Sequence, residues 1–206
     1  MQAVVSSSKL VNLEVKSATW VLPFLLLILS SNAFAFERYN EITHYDRYFS
    51  KYSKRYFGPA FDWRHFKAQA IAESRLDPDA TSRVGAKGLM QIMPKTFEEI
   101  RKQHSTIEGS WQDPRWNIAA GIYYDREIWK RWSPKRTLQD RIDFMFGSYN
   151  AGRSRILKAQ RIAQRKGLDP HRWTSIVQTL PSVTRKRSRE TIAYVEKIGQ
   201  IKEVLR

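Results

Sequence analysis

Helix-start signals recur along this chain, and no alternating apolar–polar run is long enough to make a convincing strand. Asp62 precedes WRHFKAQAIAES as an N-cap, and Pro94 opens a polar helical stretch. Asp113-Pro114, Thr137 with Asp140 three residues on, and Asp169-Pro170 each read as a further helix start. Gly152 and Gly167 read as stops. Leu138, Ile142, Met145 and Tyr149 make one apolar stripe, and Ile192, Val195, Ile198 and Ile201 make another. The expected class is therefore mainly α. A length of 206 residues fits one compact domain with a short extra segment, and 42% hydrophobic residues suffice for a core.

The N-terminal part reads differently. Trp20 to Ser30 is an apolar run too short for a comfortable membrane span and suited to a signal-peptide core. Lys9 and Lys16 precede it, and Ala33-Phe34-Ala35 follows as a cleavage site. Residues 1–35 are thus expected to be a signal peptide, with an uncleaved anchor as the alternative. The Tyr-, Arg- and Lys-rich stretch 36–59 reads as a lead-in, and 60–206 as the main domain. The expected location is the periplasm, with an association to the outer or inner membrane left open.

Charge narrows the partners. Lys and Arg number 36 against 20 Asp and Glu, a net charge of +16. Such a chain favours anionic partners. Between Arg153 and Arg189 there are 11 Lys and Arg, opposed only by Asp169. That stretch reads either as a solvated helix face or as a landing surface for an acidic polymer or an anionic membrane. Arg185-Lys186-Arg187 has the form of a nucleic-acid patch, but export sets nucleic acid aside. The chain has no cysteine and four His without a metal-ligand spacing, so a thiol nucleophile is excluded and no metal or cofactor is expected.

One carboxylate is out of place. Trp63, Phe66 and Ala70 form an apolar stripe whose next step lands on Glu73. Burial disfavours a charged carboxylate, so the pKa of Glu73 should rise, as a general acid near neutral pH requires. The alternative is a glutamate at a helix end that reaches solvent. The glycine-bracketed stretch Val84 to Pro94 places the lone polar Gln91 among Leu89, Met90, Ile92 and Met93. Gln91 needs partners, either in the protein or on a ligand. Met90 and Met93 suit a core or the floor of a groove.

These segments resemble a known family. ESRLDPDATSRVGAKGLMQIMP is similar to the signature of the soluble lytic transglycosylases, which have a goose-type lysozyme-like fold. Asn117 to Gly121 resembles the N-x-x-x-G helix of that family. Ser148-Tyr149-Asn150-Ala151-Gly152 resembles its A-Y-N-A-G motif, with Ser for the first Ala, and Glu190 to Val195 its E-T-x-x-Y-V motif. FGPAFDWRHFKAQAIAES and GLDPHRW look most like the catalytic domain of membrane-bound lytic transglycosylase F. Regulation through the large N-terminal domain of those enzymes is not carried over.

The resemblance implies a helical lysozyme-like domain with a substrate groove. It implies cleavage of the β-1,4 bond between N-acetylmuramic acid and N-acetylglucosamine in peptidoglycan, without water, giving 1,6-anhydro ends. Glu73 would be both general acid and general base, with the substrate's acetamido group assisting in place of a second carboxylate. It places Ser74, Ser82, Gln91, Met93, Tyr149, Asn150, Glu190 and Tyr194 along the substrate. Blander roles remain for several of these: a cap for Ser74, core packing for Tyr149, a helix cap for Asn150 and a helix N-terminal acid for Glu190. Asp77 and Asp79 read as loop residues. The alternatives are a muramidase that hydrolyses the same bond, a non-catalytic peptidoglycan-binding protein, and a basic interaction protein that would work without Glu73. Oligomeric state is left open.

Overall fold

The computed structural model describes residues 35–132 and 135–206. The expected signal peptide, residues 1–35, lies outside the described residues except for Ala35. A 3-10 turn (Arg38–Asn40) is followed by α1 (Asp46–Phe57), α2 (Arg64–Ser74), α3 (Pro94–Gln103), α4 (Pro114–Lys130) and α5 (Leu138–Ala151). Then come α6 (Arg153–Arg165), α7 (Trp173–Thr179), α8 (Pro181–Thr184) and α9 (Arg187–Val204). Among the described residues no strand forms. Two isolated bridges, Thr81 with Lys87 and Lys87 with Ile92, shape the loop between α2 and α3.

The centre is α2. Every residue from Phe66 to Ile71 is buried, because α1 covers one side and α9 another. Helix α4 lies across α1, α3 and α5, and α5 in turn meets α6 and α9. Burying one large apolar side chain contributes about 1.5–3 kcal/mol. The core has many: Phe49, Phe66, Phe97, Phe144 and Ile118 are fully enclosed.

The lead-in 36–59 is built into this core. Helix α1 buries Phe49 and Tyr52. The buried Lys67 of α2 donates to the Ile42 carbonyl at 2.8 Å and to Asp46 at 3.0 Å. Asn40 donates to the Val204 carbonyl and accepts from the Arg206 backbone N–H, tying the start of the domain to its end.

The start signals act as caps, with one displacement. Asp62 accepts from the Arg64 N–H at 3.0 Å, Asp113 from Arg115 at 2.8 Å and Thr137 from Asp140 at 3.1 Å. Asp169 instead closes a turn on His171, and α7 begins only at Trp173. The Trp173 N–H is capped from a distance by Asp140, at 2.8 Å. Gly152 and Gly167, both at positive φ, close α5 and α6. Leu138 departs from its expected stripe: it is 65% exposed, while Ile142 and Met145 are buried.

Candidate active site

Glu73 occupies the last turn of α2. The helix stops there because Arg75 and Leu76 are both left-handed, with φ of 60° and 61°, turning the chain into the loop. Ser74 bonds that end to the loop, donating to the Ala70 carbonyl at 3.2 Å and the Leu89 carbonyl at 3.0 Å. The Tyr194 hydroxyl, on α9, donates to Glu73 Oε1 at 2.6 Å. Burial pushes the carboxyl up to about 7, against the opposing effects of that hydrogen bond and the positive charge of Lys197. Near neutral pH the group is divided between acid and carboxylate, so it can both give and take a proton.

The loop beneath Glu73 is held by α4 and α5. Asn117 of α4 accepts from the Met90 N–H at 2.8 Å and donates to the Lys87 and Trp111 carbonyls at 3.0 and 3.1 Å. Gly88 leaves room for this: a Cβ there would stand 2.4 Å from the Asn117 amide nitrogen. Four residues on, Gly121 lets Met90 rest on the helix, since a Cβ would come within 2.7 Å of the Met90 Cβ. The Tyr149 hydroxyl donates to the Met90 carbonyl at 2.7 Å. Gln91, at φ 46°, donates to the Ala80 and Gly88 carbonyls at 3.2 and 2.9 Å. Its partners are thus within the protein. Ser82 Oγ accepts from the Ala86 N–H at 3.0 Å, and Asp77 from the Asp79 N–H at 2.9 Å. Met93 is 42% exposed at the end of the loop.

Helix α9 arranges what surrounds the acid. Glu190 and Thr191 line a cavity of about 380 Å³ together with Val84, Asn150, Arg155 and Arg187. Asn150 accepts from the Thr191 hydroxyl at 2.8 Å. Tyr194 is one turn further along α9, and Lys197 one turn beyond that, so about 10 Å of helix separates Glu190 from Lys197. Another cavity, of about 340 Å³ and lined by His65, Ile142, Asp143 and Phe146, opens at the other end of α2 and shares no residue with this one.

Sequence reasoning missed a second buried acid. Asp125 of α4 is fully enclosed, and burial raises its pKa well above the usual carboxylate range, with the Glu73 charge adding to the rise. The Gln69 side chain, one turn before Glu73 on α2, donates to Asp125 Oδ1 at 3.5 Å. Among the described residues Asp125 Oδ2 and Gln69 Oε1 have no hydrogen-bond partner. The signal was available: Ile118, Ile122, Asp125 and Trp129 form an apolar stripe broken by an acid, as at Glu73. The role of Asn117 had no such signal, because its partners are loop backbone groups.

The profile of the family described as "Transglycosylase SLT domain" matches residues 47–171.

The chain belongs to that family. The membrane-bound lytic murein transglycosylase F of Desulfosudis oleivorans is 32% identical over 157 residues, covering 71% of this chain and 33% of that protein. The protein of the same name from Maricaulis maris is 31% identical over 70% of this chain and 33% of its own length. This chain therefore spans about a third of the length of these relatives. The crystal structure of the 70 kDa soluble lytic transglycosylase from Escherichia coli superposes with a TM-score of 0.60 at 24% identity, over 79% of this chain and 24% of that one. Slt from Pseudomonas aeruginosa superposes at 0.59 with 21% identity, over 80% and 25%. The helical lysozyme-like fold of the SLT transglycosylases is thus the fold of this chain.

Proposed function

We propose that this chain is an exported peptidoglycan lytic transglycosylase with Glu73 as its single acid–base residue. The Glu73–Tyr194 pair carries the reading: a desolvated carboxyl near a pKa of 7, aimed by a 2.6 Å hydrogen bond. Protonated Glu73 gives its proton to the glycosidic oxygen between the muramoyl and glucosaminyl sugars, and that bond breaks. The Glu73 carboxylate then takes the proton of the C6 hydroxyl as that oxygen closes on C1. The acid is regenerated, no water enters, and the product is the 1,6-anhydro end. Asp125, the carboxyl coupled to Glu73, is sealed in the core and cannot reach the sugar, which favours a one-carboxylate mechanism. Asn150, Glu190, Met93 and the 80–93 loop would line the glycan, with Ser74, Ser82, Gln91 and Tyr149 holding the loop in shape.

The names of the relatives and the expected signal peptide favour action on the wall in the periplasm. The basic stretch Arg153–Arg189 forms α6 to α8 and the start of α9. Its Lys158, Arg161 and Arg165 share one exposed face of α6 beside Ser182 and Val183. That face would rest on an anionic membrane or on the wall itself. Mass spectrometry of soluble products from purified sacculi separates this reading from the muramidase on the same fold. Anhydro-muropeptides are expected; hydrated reducing ends alone would establish hydrolysis instead.

A further inference from the structure

A further cavity lies beyond Tyr194 along α9, at the end away from Glu190. It measures about 410 Å³ and is lined by Arg38, Tyr39, Ile71, Arg75 and Lys197, with Phe36 and with Ala35, the last residue of the expected signal peptide, at its rim. Arg75 is two residues past Glu73 on its chain, and Lys197 is one helical turn past Tyr194 on α9. The two cavities therefore lie on either side of the Glu73–Tyr194 pair along α9. Their linings differ. The Asn150–Glu190 cavity mixes amide, hydroxyl, acid and base. This one carries three cations and no carboxylate.

None of the three makes an ion pair among the described residues. Arg38 is fixed by its neighbour: it donates to the Tyr39 hydroxyl at 2.9 Å and packs over that ring at 4.9 Å, leaving other N–H groups free to donate. Arg75 is held at the helix end, its own N–H bonded to the Ile71 carbonyl at 3.0 Å. Lys197 is half-buried; desolvation and the nearby charge of Arg75 weigh against its protonated form, and the Glu73 charge weighs for it. Like charges gathered around a concave, partly desolvated space create a field that a bound anion relieves. A carboxylate suits it well, since an arginine fork receives two oxygens at once.

We propose that the Arg38–Arg75–Lys197 cavity is a carboxylate subsite that takes a free carboxylate of the substrate's peptide stem. The proposal rests on the reading of this chain as a peptidoglycan-cleaving enzyme. Lys197 acts on Glu73 and also lines the cavity, so an anion held there lies within electrostatic reach of the acid. In peptidoglycan, the anionic groups attached beside the scissile bond are those of the stem. The enzyme would then grip glycan on one side of Glu73 and peptide on the other, and prefer strands that still carry stems.

The test uses stem peptides released from sacculi by an amidase, and two polymers: intact sacculi and strands stripped of stems. Peptide binding is measured by calorimetry on the wild type, on an Arg38→Ala/Arg75→Ala double variant and on Arg75→Lys. Lys197 is left in place because of its effect on Glu73. The double variant should bind stem peptides roughly tenfold more weakly or worse, as the loss of charge-assisted hydrogen bonds predicts. Peptides with amidated carboxyl groups should not bind the wild type, and Arg75→Lys should recover part of the affinity. The ratio of kcat/KM on intact to stripped strands should fall about tenfold in the double variant. Stem peptides that fail to bind the wild type, or bind wild type and double variant alike, overturn the proposal. An equal loss on stripped strands also overturns it, because those strands keep the lactyl carboxylate of the sugar. Arginine-dependent peptide binding by a wild type that cuts neither polymer sinks the enzyme reading and leaves the subsite standing.

Discussion

Glu73 and Asp125 show how the same residue signal acquires different chemistry. Both interrupt an apolar stripe. Glu73 lies at a helix end, partly exposed, with a tyrosine hydroxyl on one oxygen; Asp125 lies mid-helix and fully enclosed. The irregular carboxylate at 73 was legible in the sequence, and the resemblance put Tyr194 along the substrate, but the bond between the two was not legible. Tyr194 is 121 residues away, and no local period encodes a contact across that span. The hydrogen bond favours the carboxylate, so Tyr194→Phe should raise the Glu73 pKa further. The alkaline limb of the pH–kcat/KM profile is expected to move upward while kcat falls, and a limb that stays put would detach Tyr194 from the acid. Glu73 also costs stability. Its folded pKa is raised from 4.5 to about 7, so its favourable contribution is complete below pH 4.5 and lost as the pH rises through about 7. Thermal melts should show Glu73→Gln stabilised by a few degrees at pH 8 and unchanged at pH 4.

At the scale of elements, helix existence was easier to read than helix placement. Caps carried by adjacent residues worked, as at Asp62, Asp113 and Thr137, because their bonds are local. The start of α7 did not, because Asp140 caps it from α5. Leu138 fits the period of its helix yet is largely exposed, at the edge of the cavity that His65 and Asp143 line. The 80–93 loop has no period to read; its shape comes from Asn117, Gly121 and Tyr149 on two other helices. Gly121→Ala tests this. The added methyl meets Met90, and overpacking of this kind typically costs about 1–3 kcal/mol. Urea denaturation should show that loss, together with a drop in kcat from a displaced loop. A variant with native stability and activity would mean that Met90 shifts freely.

At the scale of the whole molecule, the net charge of +16 becomes two distinct features. In the proposed reading the Arg38–Arg75–Lys197 cluster serves the substrate, and the Lys158–Arg161–Arg165 face of α6 serves placement on the wall or membrane. Reversing the latter with Lys158→Glu, Arg161→Glu and Arg165→Glu should weaken co-sedimentation with anionic vesicles and sacculi at low salt, and high salt should erase the difference. Cleavage of short soluble strands should be unaffected. Binding that survives the reversal at low salt would return this face to plain solvation. None of the helices among the described residues is long and apolar enough to cross a membrane.

In the proposed mechanism one carboxyl, placed at the end of α2 and aimed by Tyr194, performs both proton transfers. Product analysis of purified peptidoglycan incubated with wild type and Glu73→Gln side by side tests it most directly. The wild type should release 1,6-anhydro-muropeptides, and the variant should release none while still folding and still binding sacculi. Anhydro products from Glu73→Gln at rates near the wild type would contradict the account.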